Sequence, residues 1–221
     1  MSHIGNFVRR YVQPLCERIA AAFALLLLAP VFALAAVAIV IESGRPVFFL
    51  QTRVGRGGKP FRLFKLRSMR VGAAGRSITA GGDPRVSRVG ALLRKYKLDE
   101  LPQLWNIVRG EMQFIGPRPE LPAYVEPQDA RWRAVLREKP GITDLSTLVY
   151  RNEEEILARF PDPERAYREE LLPRKLELSA AYGRVRNPGA DLKLILLTAR
   201  YSFLPNGFDS NRILKTFLER A

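Results

Sequence analysis

The chain is poor in the side chains that most often carry chemistry. Its 221 residues hold one cysteine, Cys16, and one histidine, His3. A single thiol excludes an intramolecular disulfide framework and fits a reducing compartment. One His and one Cys make no donor set for a zinc site. A Ser-His-Asp or Cys-His system would rest on one N-terminal imidazole and is set aside. Any metal has to be held by carboxylates, which selects a hard cation such as Mg2+. Internal repeats and low-complexity tracts are also missing, and 47% hydrophobic with 26% charged residues is the composition of a folded chain.

Acid is scarce where base is abundant. Between Ser43 and Leu98 fourteen Lys or Arg face one acid, Asp83, so that segment carries +13 of the net +14. The first 42 residues net +1 and the last 123 net zero. A positive field this concentrated points to a polyanionic ligand or an anionic membrane surface. The basic stretch ends in an acidic pair, Asp99-Glu100. Binding a phosphate needs no carboxylate, so the pair suggests chemistry on the anion.

Charge of either sign is missing from Ala21 to Ile41, AAFALLLLAPVFALAAVAIVI. As a helix this run would extend about 32 Å, enough for a bilayer core. It is longer than the apolar part of a usual signal peptide, and Glu42 follows without a cleavage site. Pro30, at its middle, removes a backbone donor and crowds the preceding turn, so a bend is expected there. A kinked spanning helix is one outcome. However, Arg9, Arg10 and Arg18 precede the run and Arg45, Arg53, Arg56 and Lys59 follow it. Positive flanks mark the cytoplasmic side, and a helix-break-helix that returns to the same face satisfies both.

Beyond the run, Pro46–Gln51 and Phe61–Arg67 read as strands of a hairpin, with Gly55, Gly57 and Gly58 in its turn. Residues 70 to 82 read as a mobile loop. Asp83-Pro84 has the form of a helix start, and Val89, Leu92, Leu93 and Tyr96 keep the spacing of an amphipathic helix. Leu101, Leu104, Trp105 and Val108 repeat it, with Gly110 as a stop. Gly116-Pro117-Arg118-Pro119 and Pro140-Gly141-Ile142-Thr143 read as turns, the first presenting a guanidinium. Asp162-Pro163 opens a charged helix that Pro173 is expected to interrupt. Leu192–Leu204 is apolar over most of its circumference and suits burial or an interfacial position.

Asp99 and Glu100 thus fall at the start of the second helix, with Pro102 in its first turn. The plainer reading is capping, since acids at a helix N-terminus are common. Against it stand Arg85, Arg88, Arg94, Lys95 and Lys97 just before the pair and Arg118 after it. Such cations can clamp a phosphate while a carboxylate attacks phosphorus. A divalent cation would offset the repulsion between the two anions.

The run Leu98-Asp99-Glu100-Leu101-Pro102-Gln103-Leu104-Trp105-Asn106, with Gly110-Glu111-Met112 and Gly116-Pro117-Arg118-Pro119, closely resembles the bacterial monotopic phosphoglycosyl transferases, the polyprenyl-phosphate sugar-phosphate transferases. Residues 12 to 145 carry the resemblance. It includes the proline-broken run, Pro46-Val47-Phe48-Phe49, Gln51-Thr52-Arg53-Val54-Gly55, Phe64-Lys65-Leu66-Arg67-Ser68-Met69 and Pro140-Gly141-Ile142-Thr143. The resemblance implies transfer of a phosphosugar from a uridine diphosphosugar to undecaprenyl phosphate at the cytoplasmic face of the bacterial inner membrane. It implies Asp99 as nucleophile and metal contact, Mg2+ as cofactor, and Lys65, Arg94 and Arg118 as phosphate-binding residues. Glu100 stays open between a base for the acceptor and a second metal contact. The expected fold is α+β and mostly helical. Residues 1–44 form a re-entrant membrane helix region broken at Pro30. Residues 45–221 form a cytoplasmic catalytic domain with a small hairpin and amphipathic interfacial helices. The chain looks like a minimal form of the family, and homo-oligomerisation stays open.

Two departures bear on this. Ala29-Pro30 stands where family members often have Ser-Pro, and Asp144-Leu145 stands where many continue Gly-Trp. Residues 145–221 look like a divergent part. Two other classes of function remain: a membrane-tethered basic module that grips anionic lipid or nucleic acid, and a structural partner in polysaccharide export. No nucleic-acid motif is present and aromatics are not interleaved with the basic residues, so nucleic acid is not expected as a partner.

Overall fold

The computed structural model describes residues 11–72, 78–204 and 206–218. Part of the expected 70–82 loop therefore lies outside the described residues. The fold is mostly helical α+β with two small two-stranded sheets.

The apolar run folds as two helices, α1 (Gln13–Leu27) and α2 (Ala29–Ser43), bent by 57° at Leu28. Pro30 has no N–H for the carbonyl of Leu26, and the helix gives way two residues earlier. Among the described residues no single helix is long and apolar enough to cross a membrane; the bent pair together meets that length and composition. One side of the pair is buried through Ala21, Ala35 and Ile39, while Phe23, Leu26, Leu27, Leu34 and Ile41 stay exposed.

Strands β1 (Phe48–Val54) and β2 (Pro60–Leu66) pair antiparallel, Phe48 opposite Leu66 and Val54 opposite Pro60. The hairpin is the one expected, but its ladder runs closer to the turn. Gly57 and Gly58 there take φ of 67° and 78°, which a side chain would disfavour. Next come α3 (Arg88–Lys95) and α4 (Gln103–Val108), which Gly110 ends at φ 78°. The expected start of α3 at Asp83 is corrected: its carboxylate accepts from the Arg85 N–H in a turn, and Ser87 is the N-cap. The first N–H groups of α3, on Arg88 and Val89, donate to Glu42 at the end of α2, 2.7 and 2.9 Å away. That contact is tertiary, so local sequence could not place the boundary.

Gly141–Thr143 is a strand, where Pro140–Thr143 was expected as a turn. β3 (Gln113–Ile115) pairs in parallel with β4 (Gly141–Thr143), with the short helix α5 (Ala130–Val135) between them in sequence. Gly116 and Gly141 pass backbone against backbone, and a Cβ on Gly141 would sit 2.1 Å from the Gly116 nitrogen. Helix α6 (Leu145–Val149) starts at Asp144, whose carboxylate caps Thr147 N–H at 2.7 Å and bonds Ser146 and Ser179. The departure at Asp144-Leu145 is thus a buried cap that ties the last third of the chain to the rest.

That third holds α7 (Glu153–Leu157), α8 (Pro163–Ala166), a π-helical segment Tyr167–Leu171, α9 (Leu172–Val185), α10 (Pro188–Phe203) and α11 (Ser210–Leu218). Pro173 does not interrupt the helix. The π segment ahead of it takes up the misfit from its missing N–H. On α10, Leu194 and Tyr201 are buried in a core with Leu145, Leu148, Tyr182 and Phe217, whereas Leu192, Leu196 and Phe203 are exposed. A second core joins Trp132, Leu157, Tyr167 and Leu176. A third packs Ala21 of α1 against Leu63, Leu104 and Ile107, so the apolar pair sits directly on the hairpin and α4.

Candidate active site

At the end of α3 the chain turns sharply because Lys97 takes the left-handed conformation, φ 55°. A 3-10 turn over Leu98–Glu100 follows, and α4 begins at Gln103, with Leu101 and Pro102 between them. This turn buries Asp99, only 6% exposed, and faces Glu100 toward β2 and the Gly-Pro-Arg-Pro arm. Lys65 of β2 is placed by Asn106, fully buried on α4. The Asn106 amide accepts from Phe64 N–H at 3.1 Å and donates to the Arg62 carbonyl at 2.7 Å and to Glu111 at 2.8 Å.

Glu100 takes both terminal nitrogens of Arg118, one at 3.1 Å, and Lys65 Nζ at 3.2 Å. Burial opposes ionisation of Glu100, but the charges of Arg118 and Lys65 outweigh it and hold the carboxyl well below the usual carboxylate range. Asp99 is the reverse. Burial and then the neighbouring Glu100 charge push its carboxyl up, against Lys65, Lys97 and Arg94. Its Oδ1 is buried without a hydrogen-bond partner. Burial draws the Lys65 ammonium down despite Glu100, and Glu100 raises the Arg118 guanidinium.

These groups line a cavity of about 830 Å3. The structure thus brings Asp99, Glu100, Lys65 and Arg118 together. Arg94 lines the same cavity but is engaged elsewhere: Nη1 meets Glu154 at 2.7 Å and Nε donates to Ser68 at 2.9 Å. Pro30 lies in the first turn of α2, two residues past the break at Leu28. The hairpin contributes Phe48 and Phe49 to the cavity, and α10 contributes Ile195, Thr198 and Phe203.

Sequence reasoning missed a second charged group on this cavity. Glu120, directly after the Gly-Pro-Arg-Pro arm, is 6% exposed and meets Arg53 at 3.3 Å and the Tyr167 hydroxyl. Lys175 of α9, 5% exposed, bonds Glu153 at 2.6 Å and Tyr167 at 3.2 Å and lies 3.8 Å from Glu120. The one available signal was an acid following a rigid basic turn.

For a metal, the described residues hold no group of three or more His, Cys, Asp or Glu side chains placed to bind one. The unpartnered Asp99 oxygen still fits a hard cation that keeps water and draws its other ligands from a diphosphate, as Mg2+ does.

The model of the bacterial sugar transferase family matches residues 8–204, and the chain belongs to that family. It is 48% identical over 99 residues to a putative undecaprenyl-phosphate N-acetylgalactosaminyl 1-phosphate transferase of Bacillus subtilis, covering 44% of this chain and 55% of that one. It is 44% identical over 133 residues to a UDP-glucose:undecaprenyl-phosphate glucose-1-phosphate transferase of Caulobacter vibrioides, 58% of this chain and 50% of that one. It is 38% identical over 169 residues to the exopolysaccharide production protein ExoY of Rhizobium meliloti, 68% of this chain and 72% of that one. The matches cover about half the length of the first two relatives.

Proposed function

We propose that this chain transfers a sugar 1-phosphate from a uridine diphosphosugar to undecaprenyl phosphate, releasing UMP, at the cytoplasmic face of the bacterial inner membrane. One observation carries the reading: a buried aspartate with an unpartnered oxygen lines a large cavity beside a Lys65–Glu100–Arg118 cluster. Family membership and the activities for which the relatives are named support it.

Asp99 attacks the sugar-linked phosphorus of the donor. The bond from that phosphorus to the oxygen of the nucleoside monophosphate breaks, and the nucleotide leaves with the electron pair. The product is a phosphosugar ester of Asp99. An oxygen of undecaprenyl phosphate then attacks the same phosphorus, and the bond to Asp99 breaks, restoring the carboxylate. A phosphate monoester, with a second pKa of about 6, is largely ionised at neutral pH and needs no base. Glu100, held ionised, is a weak base and serves better to aim the Arg118 fork and Lys65 at phosphate oxygens. Mg2+, held by Asp99 and the donor, would supply charge neutralisation of the diphosphate.

Splitting the transfer into two steps suits a water-soluble donor and a lipid acceptor, which then need not bind together. The bent apolar pair, exposed on one side and basic at both ends, suits re-entry into one leaflet. The test is nucleotide release from the solubilised protein given a panel of uridine diphosphosugars, Mg2+ and undecaprenyl phosphate. UMP release from at least one donor, abolished in Asp99→Asn, is expected. A folded, membrane-bound protein that releases nucleotide from none would favour the binding-module reading.

A further inference from the structure

We propose that Tyr167 and Lys175 are positioning residues that hold Arg118 in place by locking Glu120, an inference that rests on the transfer reading above. Arg118 sits in an arm pinned at both ends. At the near end Gly116 N–H donates to the Thr143 carbonyl and Gly141 N–H to the Pro117 carbonyl, both at 3.0 Å. At the far end the Glu120 carbonyl accepts from Val54 N–H at 2.9 Å, and the Glu120 side chain enters the charged group lined up behind it.

That group draws on separate parts of the chain. Arg53 comes from β1, Tyr167 from the π segment, Lys175 from α9 and Glu153 from α7. Two acids and two bases balance, and Tyr167 bridges Glu120 and Lys175 through its hydroxyl. Buried ion clusters of this kind add little stability over a well-packed apolar core, and in some proteins they serve to fix geometry. What this one fixes is an arm two residues from the Arg118 fork. All five side chains line the cavity that holds Asp99. The part of the chain after residue 145, which the resemblance leaves without a role, thereby supplies Glu153, Tyr167 and Lys175 to the site.

Two measurements on the full chain test this. In the first, hydrogen exchange is followed by mass spectrometry. Tyr167→Phe removes one hydroxyl and little volume, so exchange over residues 113–124 should speed up about tenfold while β2, residues 60–66, is unchanged. Unchanged exchange over 113–124 overturns the proposal. In the second, nucleotide release is measured. Tyr167→Phe should lower kcat/KM about tenfold, chiefly through kcat. In an Arg118→Ala background the same change should cost less than about twofold, because both act on one group. Equal losses in the two backgrounds overturn the proposal. Lys175→Arg should retain most activity and Lys175→Met should not. Glu120→Gln, read in the same two ways with the same expected signs, covers poor folding of Tyr167→Phe. A wild-type protein inactive on every donor would refute the transfer reading, and the exchange measurement would still decide the positioning.

Discussion

Arg118 grips Glu100 with both terminal nitrogens, and Lys65 closes on the same carboxylate from the hairpin at 3.2 Å. Three chain segments far apart in sequence meet at one carboxylate, immediately beside Asp99. Two of the three cations expected to bind phosphate, Lys65 and Arg118, are thus already held in place by an acid that stays ionised. A preset fork avoids the cost of ordering it when the donor arrives.

Arg118→Lys keeps the charge and loses the fork. A lysine cannot meet both Glu100 oxygens and a phosphate with planar geometry. Steady-state nucleotide release should show kcat/KM lower by roughly 10- to 100-fold, with a melting temperature within about 3 °C of wild type. Unchanged kinetics would remove Arg118 from phosphate handling.

Asn106→Ala tests the scaffold. The change leaves Phe64 N–H, the Arg62 carbonyl and Glu111 without the amide that joins them. A loss of about 3 kcal/mol is expected, or roughly 6–12 °C in thermal unfolding. A change below about 2 °C would show that β2 is held by other contacts.

Glu120 gives a pH test. Burial raises its carboxyl, but Lys175, Arg53 and the Tyr167 hydroxyl outweigh that and hold it below its ordinary value. A carboxyl lowered by folding stabilises the protein above its unfolded pKa of about 4.3, and that contribution fades as pH falls through the lower folded value. Glu120→Gln should therefore be less stable than wild type at neutral pH, with the gap narrowing as the solution is acidified below about pH 4. A gap that does not change with pH would show that the Glu120 charge is not what stabilises this region.

Topology is tested in a Cys16→Ser background, because Cys16 is exposed. Single cysteines at Gly5 and Arg45 should both resist a thiol reagent confined to the periplasm. Labelling of either one would establish a helix pair that crosses the bilayer.

Much of the architecture was legible where local chemistry decides it. The hairpin followed from two β-rich runs around Gly57 and Gly58, the break from Pro30, and the stop after α4 from Gly110. Tertiary contacts decided the rest. Asp83 had the form of a cap, yet Ser87 and the distant Glu42 take the donors of α3. Pro140–Thr143 looked like a turn because its strand partner, Gln113–Ile115, lies far back in the chain. Pro173 looked like a stop because no local pattern announces a π segment. At the site, Asp99, Glu100 and Arg118 stood out by charge and spacing. Glu120, Tyr167 and Lys175 did not, since their meaning lies in burial and mutual contact.

The central claim is that Asp99 carries the phosphosugar between two half-reactions. The most direct measurement is the intact mass of the enzyme after incubation with a turned-over uridine diphosphosugar and Mg2+, without undecaprenyl phosphate. About one nucleotide should be released per enzyme, with a phosphosugar adduct that maps to Asp99, is discharged by acceptor and is missing from Asp99→Asn. No adduct and no release without acceptor, with intersecting double-reciprocal lines when both substrates are varied, would contradict it and support direct transfer in a ternary complex.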